Sequence, residues 1–287
     1  MKIVTDSAAD LPADEVKTLG IQVAPLKIHF PDGELSADQI SPDQFYTRLR
    51  EMEPDIPKTS QPSSGEFSRL YKNMISDGEE ILSIHISSGL SGTVDAARIG
   101  ADDHQKSKIT IIDSLTLSGG QRFQVLAAAL GARLGWSMSD ILKRLKQVQA
   151  ASEVVYTLET LSYLSRGGRI GRVQALAGSL LKLKPIITVD KKDGKYNTLG
   201  KGRTLIKSMD LIGEHFMKIY SPEVPVWVTV LHGQLQIQAE NLAKLLHGKM
   251  NVARMEVLRI SPVLGVHTGP GIVGAAIVPA YLMEDFG

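Results

Sequence analysis

The residues with the most chemical capacity lie in short polar loops. Residues 87–93 read SSGLSGT, directly after the apolar run ILSIHI. Such a loop can attack a substrate, cradle an anion, or start a helix. Gly89 and Gly92 let a ligand approach the backbone closely. Ser91 or Thr93 at a helix start would sit beside unsatisfied N–H groups, which suit an anion. A phosphate loop needs a lysine after its second glycine, and none follows Gly92. A nucleophile elbow needs G-x-S-x-G, but the order here is G-L-S-G-T. Two readings remain: an anion cradle with Ser91 as a hydrogen-bonding ligand, and a plain helix cap.

Other loops carry related chemistry. KTSQPSSGEF (58–67) gathers Lys58, Thr59, Ser60, Gln61 and Ser63. Pro62 restricts Gln61 to extended conformations, which predicts a stiff loop. Ser63 or Ser64, with Glu66 or Phe67 beyond, marks a helix start, so capping again competes with binding. Thr5-Asp6-Ser7 follows the first expected strand. His267 lies in VHTGPGIV, where Gly269, Pro270 and Gly271 predict a tight turn between strands with exposed N–H groups. A lone histidine is more often structural. Histidines 29, 85, 104, 215, 232 and 247 show no metal-ligand spacing and are read as surface or packing residues. LSRGGRIGR (164–172) sets Arg166, Arg169 and Arg172 three residues apart. Their planar guanidinium groups suit carboxylates and phosphates, with a solvated basic loop as the alternative.

These loops need elements to position them. Apolar runs at 2–5, 23–30, 80–86 and 108–113 read as strands. Helical stretches near 13–19, 42–51, 64–76, 91–101 and 118–134 separate or follow them, and Ser139-Asp140 predicts the cap of another over 140–151. A composition change near residue 155 suggests two domains, 1–155 and 156–287. The second half offers strands at 154–158, 184–190, 195–200, 225–231, 253–258 and 271–278, with helices near 173–182, 203–219 and 234–247. Asp193-Gly194 between two of the strands is a hairpin signal, so this sheet should be mixed. The expected fold is α/β: a mostly parallel N-terminal sheet flanked by helices, and a C-terminal domain with a mixed sheet. In such sheets ligands bind beyond the carboxyl ends of the strands, where the polar loops fall.

Composition narrows the function. With 32 basic and 31 acidic residues and no one-signed block, nucleic acid is a poor partner. The absence of cysteine removes disulfides and thiol chemistry. No leader-like or membrane-length apolar run is present, so a soluble cytoplasmic protein without stable membrane insertion is expected.

Taken in order, VTDSAADLP, KTSQPS, IHISSGLSGT, LETLSYLSRGGRIGR, KLKPIITVDKKDG and HTGPG resemble the DegV family of bacterial fatty-acid-binding proteins. The likeness runs nearly end to end; the final PAYLMEDFG is unmatched. The resemblance implies a long-chain fatty acid as ligand, with no other cofactor and no metal. It implies a carboxylate held by Thr59, Ser91 and His267, with Ser60, Gly89, Gly92, Thr93 and Gly269 supporting the loops. It also implies a carrier subunit without catalysis of its own, serving an ATP-dependent fatty acid kinase of the dihydroxyacetone-kinase-like type. Arg203 and Arg169 would meet that partner. The alternatives are a serine-dependent acyl hydrolase using Ser91 and His267, and a carrier of another amphiphilic lipid.

Overall fold

The opening apolar run forms β1 (Lys2–Asp6), which ends where Asp6 Oδ1 accepts the Ala8 N–H at 3.0 Å. The computed structural model describes residues 1–75, 79–102, 108–174 and 183–284. After β1 come α1 (Ala13–Leu19), β2 (Gln22–Ala24), β3 (Lys27–Phe30), β4 (Gly33–Ser36), α2 (Pro42–Glu51), β5 (Lys58–Ser60) and α3 (Ser64–Met74). Then follow β6 (Ile81–His85), α4 (Thr93–Asp102), β7 (Ile109–Asp113), α5 (Ser118–Arg133) and α6 (Met138–Ala151). A four-stranded parallel sheet runs in the order β2-β1-β6-β7. Every residue of β6 is buried, as a parallel strand covered on both faces should be.

Local sequence explains most boundaries. Ser41 and Ser63 each form a capping box, with Gln44 and Glu66 respectively. The cap expected at Ser139-Asp140 is instead Ser137, whose hydroxyl accepts the Asp140 N–H, so the helix begins at Met138. Residues 23–30 do not form one strand. Pro25 lacks a ladder N–H, and past it β3 leaves the parallel sheet to pair antiparallel with β4 and β5.

The second half contains β8 (Glu153–Leu158), α7 (Ser162–Arg166), β9 (Lys184–Val189), β10 (Tyr196–Gly202), α8 (Leu205–Ile219), β11 (Val226–His232) and α9 (Gln236–Lys249). It closes with β12 (Val252–Arg259), α10 (Pro262–Thr268), β13 (Ile272–Pro279) and α11 (Tyr281–Glu284). The sheet order is β10-β9-β8-β13-β11-β12, antiparallel except between β11 and β12, which makes it mixed as expected. The Asp-Gly hairpin joins β9 and β10, with Gly194 at φ 63°. Residue 155 falls inside β8, and β8 belongs to this sheet. The helix expected over 173–182 lies, beyond Gln174, outside the described residues.

Helix α5 lies between the two sheets and is buried on almost every side. A β-carbon on Gly119 would come within 2.5 Å of Ala276, and one on Gly120 within 2.5 Å of Val154, so both glycines let the helix rest on the mixed sheet. On α5, Arg122 is fully buried and pairs with Glu15 of α1 (2.5 Å) and Glu256 of β12 (2.8 Å). The C-terminal segment, unmatched in sequence, docks by packing. Leu282 and Met283 are buried, Trp227 Nε1 donates to Glu284 at 2.5 Å, and Arg144 donates to the Leu282 carbonyl at 2.9 Å.

Candidate functional site

Thr59 sits on β5 and His267 in the last turn of α10. Sequence reading placed His267 in a turn between strands. The chain is helical there because Pro262 follows Ser261 at the helix start and Gly269, at φ 71°, ends it. Thr59 Oγ1 lies 2.7 Å from His267 Nε2. The His267 ring is packed tightly, since a β-carbon on Gly167 would come within 2.2 Å of Nδ1. Gly269 is doubly constrained, because the Tyr163 ring fills the space a β-carbon would need.

Burial, and secondarily the charge of Arg169, lowers the His267 pKa to about 4. The imidazole is therefore neutral near pH 7 and carries one N–H. His267 Nδ1 is buried without a hydrogen-bond partner among the described residues. A buried N–H without an acceptor is costlier than a bare ring nitrogen, so the proton belongs on Nε2. Nε2–H then donates to Thr59 Oγ1, and the Thr59 hydroxyl hydrogen is left to point elsewhere.

Ser91 lies in the loop between β6 and α4, which is fixed from several directions. Ser91 N–H donates to the Ser87 carbonyl at 3.0 Å, Ser87 N–H to the Thr116 carbonyl at 2.8 Å, and Ser88 N–H to Asp113 at 3.2 Å. Ser87 Oγ reaches the Gly194 carbonyl at 2.8 Å, so the β9–β10 hairpin clamps this loop. Gly89 fits because it has no side chain: a β-carbon would come within 2.4 Å of the Asp193 carbonyl oxygen. The Ser91 hydroxyl pairs with Thr93 Oγ1 at 2.8 Å, not with His267. Gln61, two residues after Thr59, rests its amide against Gly92, so the two hydroxyl loops meet. Ser60 points the other way, as alternation on a strand requires, and its hydroxyl contacts His29 at 2.7 Å.

A recess of about 420 Å³ is lined by Gly89 and Leu90 of this loop together with Arg169, Arg172, Lys195 and Tyr196, among others. Arg169 is exposed and donates to the Gly167 carbonyl at 2.7 Å, while Arg172 pairs with Asp190 and Asp193. Arg203 is exposed in the turn between β10 and α8.

Sequence reading missed the support beneath the loops. Asp6 Oδ2 accepts the Ile86 N–H at 2.9 Å and faces His85 Nδ1 at 3.0 Å. His85 Nε2 contacts Ser83 at 2.7 Å, and Ser83 contacts Tyr71 at 2.9 Å. All four side chains are buried, so this Ser-His-Asp arrangement is closed to substrate and ties the ends of β1 and β6 together. In sequence, Asp6 after the first strand and the alternating polar residues within ILSIHI were its only hints. Among the described residues no group of three or more His, Cys, Asp or Glu side chains could hold a metal, and no helix is long and apolar enough to cross a membrane.

A parallel and a mixed sheet sharing one buried helix, with a small antiparallel sheet of β4, β3 and β5 carrying Thr59, define an α/β protein whose hydroxyl loops come from more than one sheet. The sequence signature of the DegV family matches residues 1–280, and the chain belongs to that family. A DegV domain-containing protein of Deinococcus radiodurans is 35% identical over 277 residues, 96% of this chain and 95% of its own. A fatty-acid-binding DegV family protein from Thermus thermophilus has the same fold, with a TM-score of 0.91 and 31% identity over 97% of this chain and 99% of that one. DegV of Bacillus subtilis, a fatty acid binding protein, has a TM-score of 0.87 and 29% identity over 97% of this chain and 98% of its own.

Proposed function

We propose that this protein is a cytoplasmic carrier that holds a long-chain fatty acid and presents its carboxylate to a separate kinase. The observation that carries the reading is the Thr59–His267 hydrogen bond of 2.7 Å. A neutral imidazole donating through Nε2 turns the threonine hydroxyl into a directed donor for an incoming carboxylate. Ser91 supplies a second hydroxyl from the facing loop, and His267 acts by orienting Thr59. Fatty acid binding by the relatives from T. thermophilus and B. subtilis supports the same ligand class.

The energetics suit a carrier. Each hydrogen bond to a charged headgroup is worth about 1.5–3 kcal/mol. Burying about 15 methylenes at ~0.8 kcal/mol each supplies roughly 12 kcal/mol gross, before ordering and association costs. The tail gives affinity and the hydroxyls give orientation. An ATP-dependent kinase of the dihydroxyacetone-kinase-like type would dock at the face bearing Arg169 and Arg203. It would transfer a phosphoryl group from ATP to a carboxylate oxygen, releasing ADP and leaving an acyl phosphate on the carrier. Acyl hydrolysis through Ser91 has less support, because the hydroxyl pairs with Thr93 and no histidine activates it among the described residues.

Protein purified from a lipid-containing host should yield long-chain fatty acid on solvent extraction and mass spectrometry, at close to one equivalent. Stripped protein should rebind palmitate or oleate. Stripped protein that binds neither would refute the carrier reading.

A further inference from the structure

Among the described residues, three that are not glycine adopt the left-handed backbone: Asp10, Leu115 and Ser118. Asp10, at φ 49°, ends the turn after β1, and Ser118, at φ 54°, opens α5. A side chain strains the backbone in that region, and such strain persists where the surroundings fix it, often at functional positions. Here the two strained residues meet. Ser118 Oγ donates to Asp10 Oδ2, and both residues are buried. Asp10 Oδ1 accepts the Ser261 N–H at 2.7 Å. Ser261 precedes α10, and its own hydroxyl makes no capping bond. One carboxylate thus ties the chain after β1 to the start of α5 and to the start of α10, the short helix that carries His267 in its last turn.

Stability does not account for a charge at this point. Burial raises the Asp10 pKa from 3.8 to about 6, although the bonds from Ser118 and Ser261 pull it down. Above pH 6 the ionised carboxylate therefore makes folding less favourable than a neutral side chain would. Buried groups held in this way are frequent where their charge serves a site. Arg122, further along α5, favours the ionised form. Burial pushes the hydroxyls of Tyr46 on α2 and Tyr156 on β8 upward, so both stay neutral. Asp6, Asp38 and Arg259 line, with Asp10, a cavity of about 600 Å³ that gives water and protons a route to the carboxylate. An ionised carboxylate accepts both bonds strongly. Once protonated it is a weaker acceptor, and its grip on Ser261 loosens.

We propose that Asp10 is a positioning residue for the fatty acid site, its ionised carboxylate holding the start of α10 and through it the His267–Thr59 pair. This rests on the carrier reading above.

The test compares Asp10→Asn with wild type in fluorescent fatty acid titrations and urea denaturation of the full chain between pH 8 and pH 5. Asparagine tolerates the left-handed backbone and keeps an acceptor oxygen, so the charge is what changes. At pH 8 the variant should bind about tenfold more weakly than wild type, while its urea midpoint equals or exceeds that of wild type. The two affinities should converge as pH falls through about 6, where wild type loses the same charge. Taking their ratio cancels the titration of the ligand itself. A second measurement needs no folded variant. The His267 imidazole nitrogen resonances of ligand-free wild type should show a step near pH 6, apart from the ring's own titration near 4. Where Asp10→Asn folds, that step should vanish. The proposal is overturned by equal affinities at pH 8, by an affinity ratio that stays constant with pH, or by the absence of the step near 6 in wild type. Wild type that binds no fatty acid would refute the carrier reading, and the resonance step would still decide whether Asp10 governs His267.

Discussion

Thr59 and His267 stand 208 residues apart in the chain and share one hydrogen bond of 2.7 Å. The bond joins the two halves of the molecule at the point where the hydroxyl loops converge. Replacing Thr59 with the near-isosteric valine deletes the hydroxyl and little volume. We expect fatty acid affinity to fall about tenfold or more, in keeping with ~1.5–3 kcal/mol for a hydrogen bond to a charge. Thr59→Ser should restore most of it. Fluorescent fatty acid titration checks both, and equal affinity in Thr59→Val and wild type would remove the hydroxyl from the site.

The pH dependence of stability follows from two buried groups of opposite sign. The His267 pKa is lowered to about 4 from 6.5 by burial, so the unfolded chain binds more protons between those values. This contribution is fully present above pH 6.5 and is lost as pH falls through 4. The Asp10 pKa is raised from 3.8 to about 6 by burial, so its folded form binds more protons there and gains stability as pH falls. The two offset each other. His267→Asn should therefore leave a protein whose denaturation midpoint rises, relative to wild type, on acidification from pH 6.5 to 4.5. Urea titrations at several pH values measure it, and parallel curves would contradict the assignment.

Gly89→Ala should destabilise the hydroxyl loop, because a β-carbon would come within 2.4 Å of the Asp193 carbonyl oxygen, which is backbone and cannot swing aside. Overpacking of this kind costs about 1–3 kcal/mol. The loop should move away from the hairpin, so fatty acid affinity falls together with the thermal midpoint. Full retention of both would show that the hairpin yields freely.

Arg122→Met removes the one cation that lies fully buried between Glu15 and Glu256. Removing one partner of a buried pair costs roughly 3–5 kcal/mol. The low end is expected, since both glutamates keep some exposure and Arg254 still reaches them, at 3.4 and 2.7 Å. Chemical denaturation should show it as a lowered midpoint.

If the kinase docks as proposed, Arg203→Ala should leave palmitate binding unchanged and reduce acyl phosphate formation in the coupled reaction by tenfold or more. Unchanged coupled turnover would place the docking face elsewhere.

Much of the fold was legible because its signals are local. Ser63 and the Asp193-Gly194 hairpin announce their elements through short-range hydrogen bonding. The split at Pro25 and the helix around His267 were missed for opposite reasons. One apolar run concealed a change of sheet, and the glycine-proline cluster drew attention from the Ser-Pro start that makes α10 helical. The hydroxyl residues stood out in sequence by type. The pairing of Thr59 with His267 and the turning of Ser91 to Thr93 and of Ser60 to His29 depend on tertiary closure and leave no local trace, and the Asp6–His85–Ser83 arrangement left only Asp6 after the first strand and the alternation within ILSIHI.

The clamp between Ser87 and Gly194 spans 107 residues and holds the serine loop against a hairpin made much later in synthesis. An emerging N-terminal half can form its parallel sheet on the ribosome, yet its serine loop still lacks that backing. On the proposed reading, ligand competence arrives only with the distal hairpin and the final helix–strand segment that supplies His267. A prematurely ended chain could fold in part while remaining unable to sequester lipid.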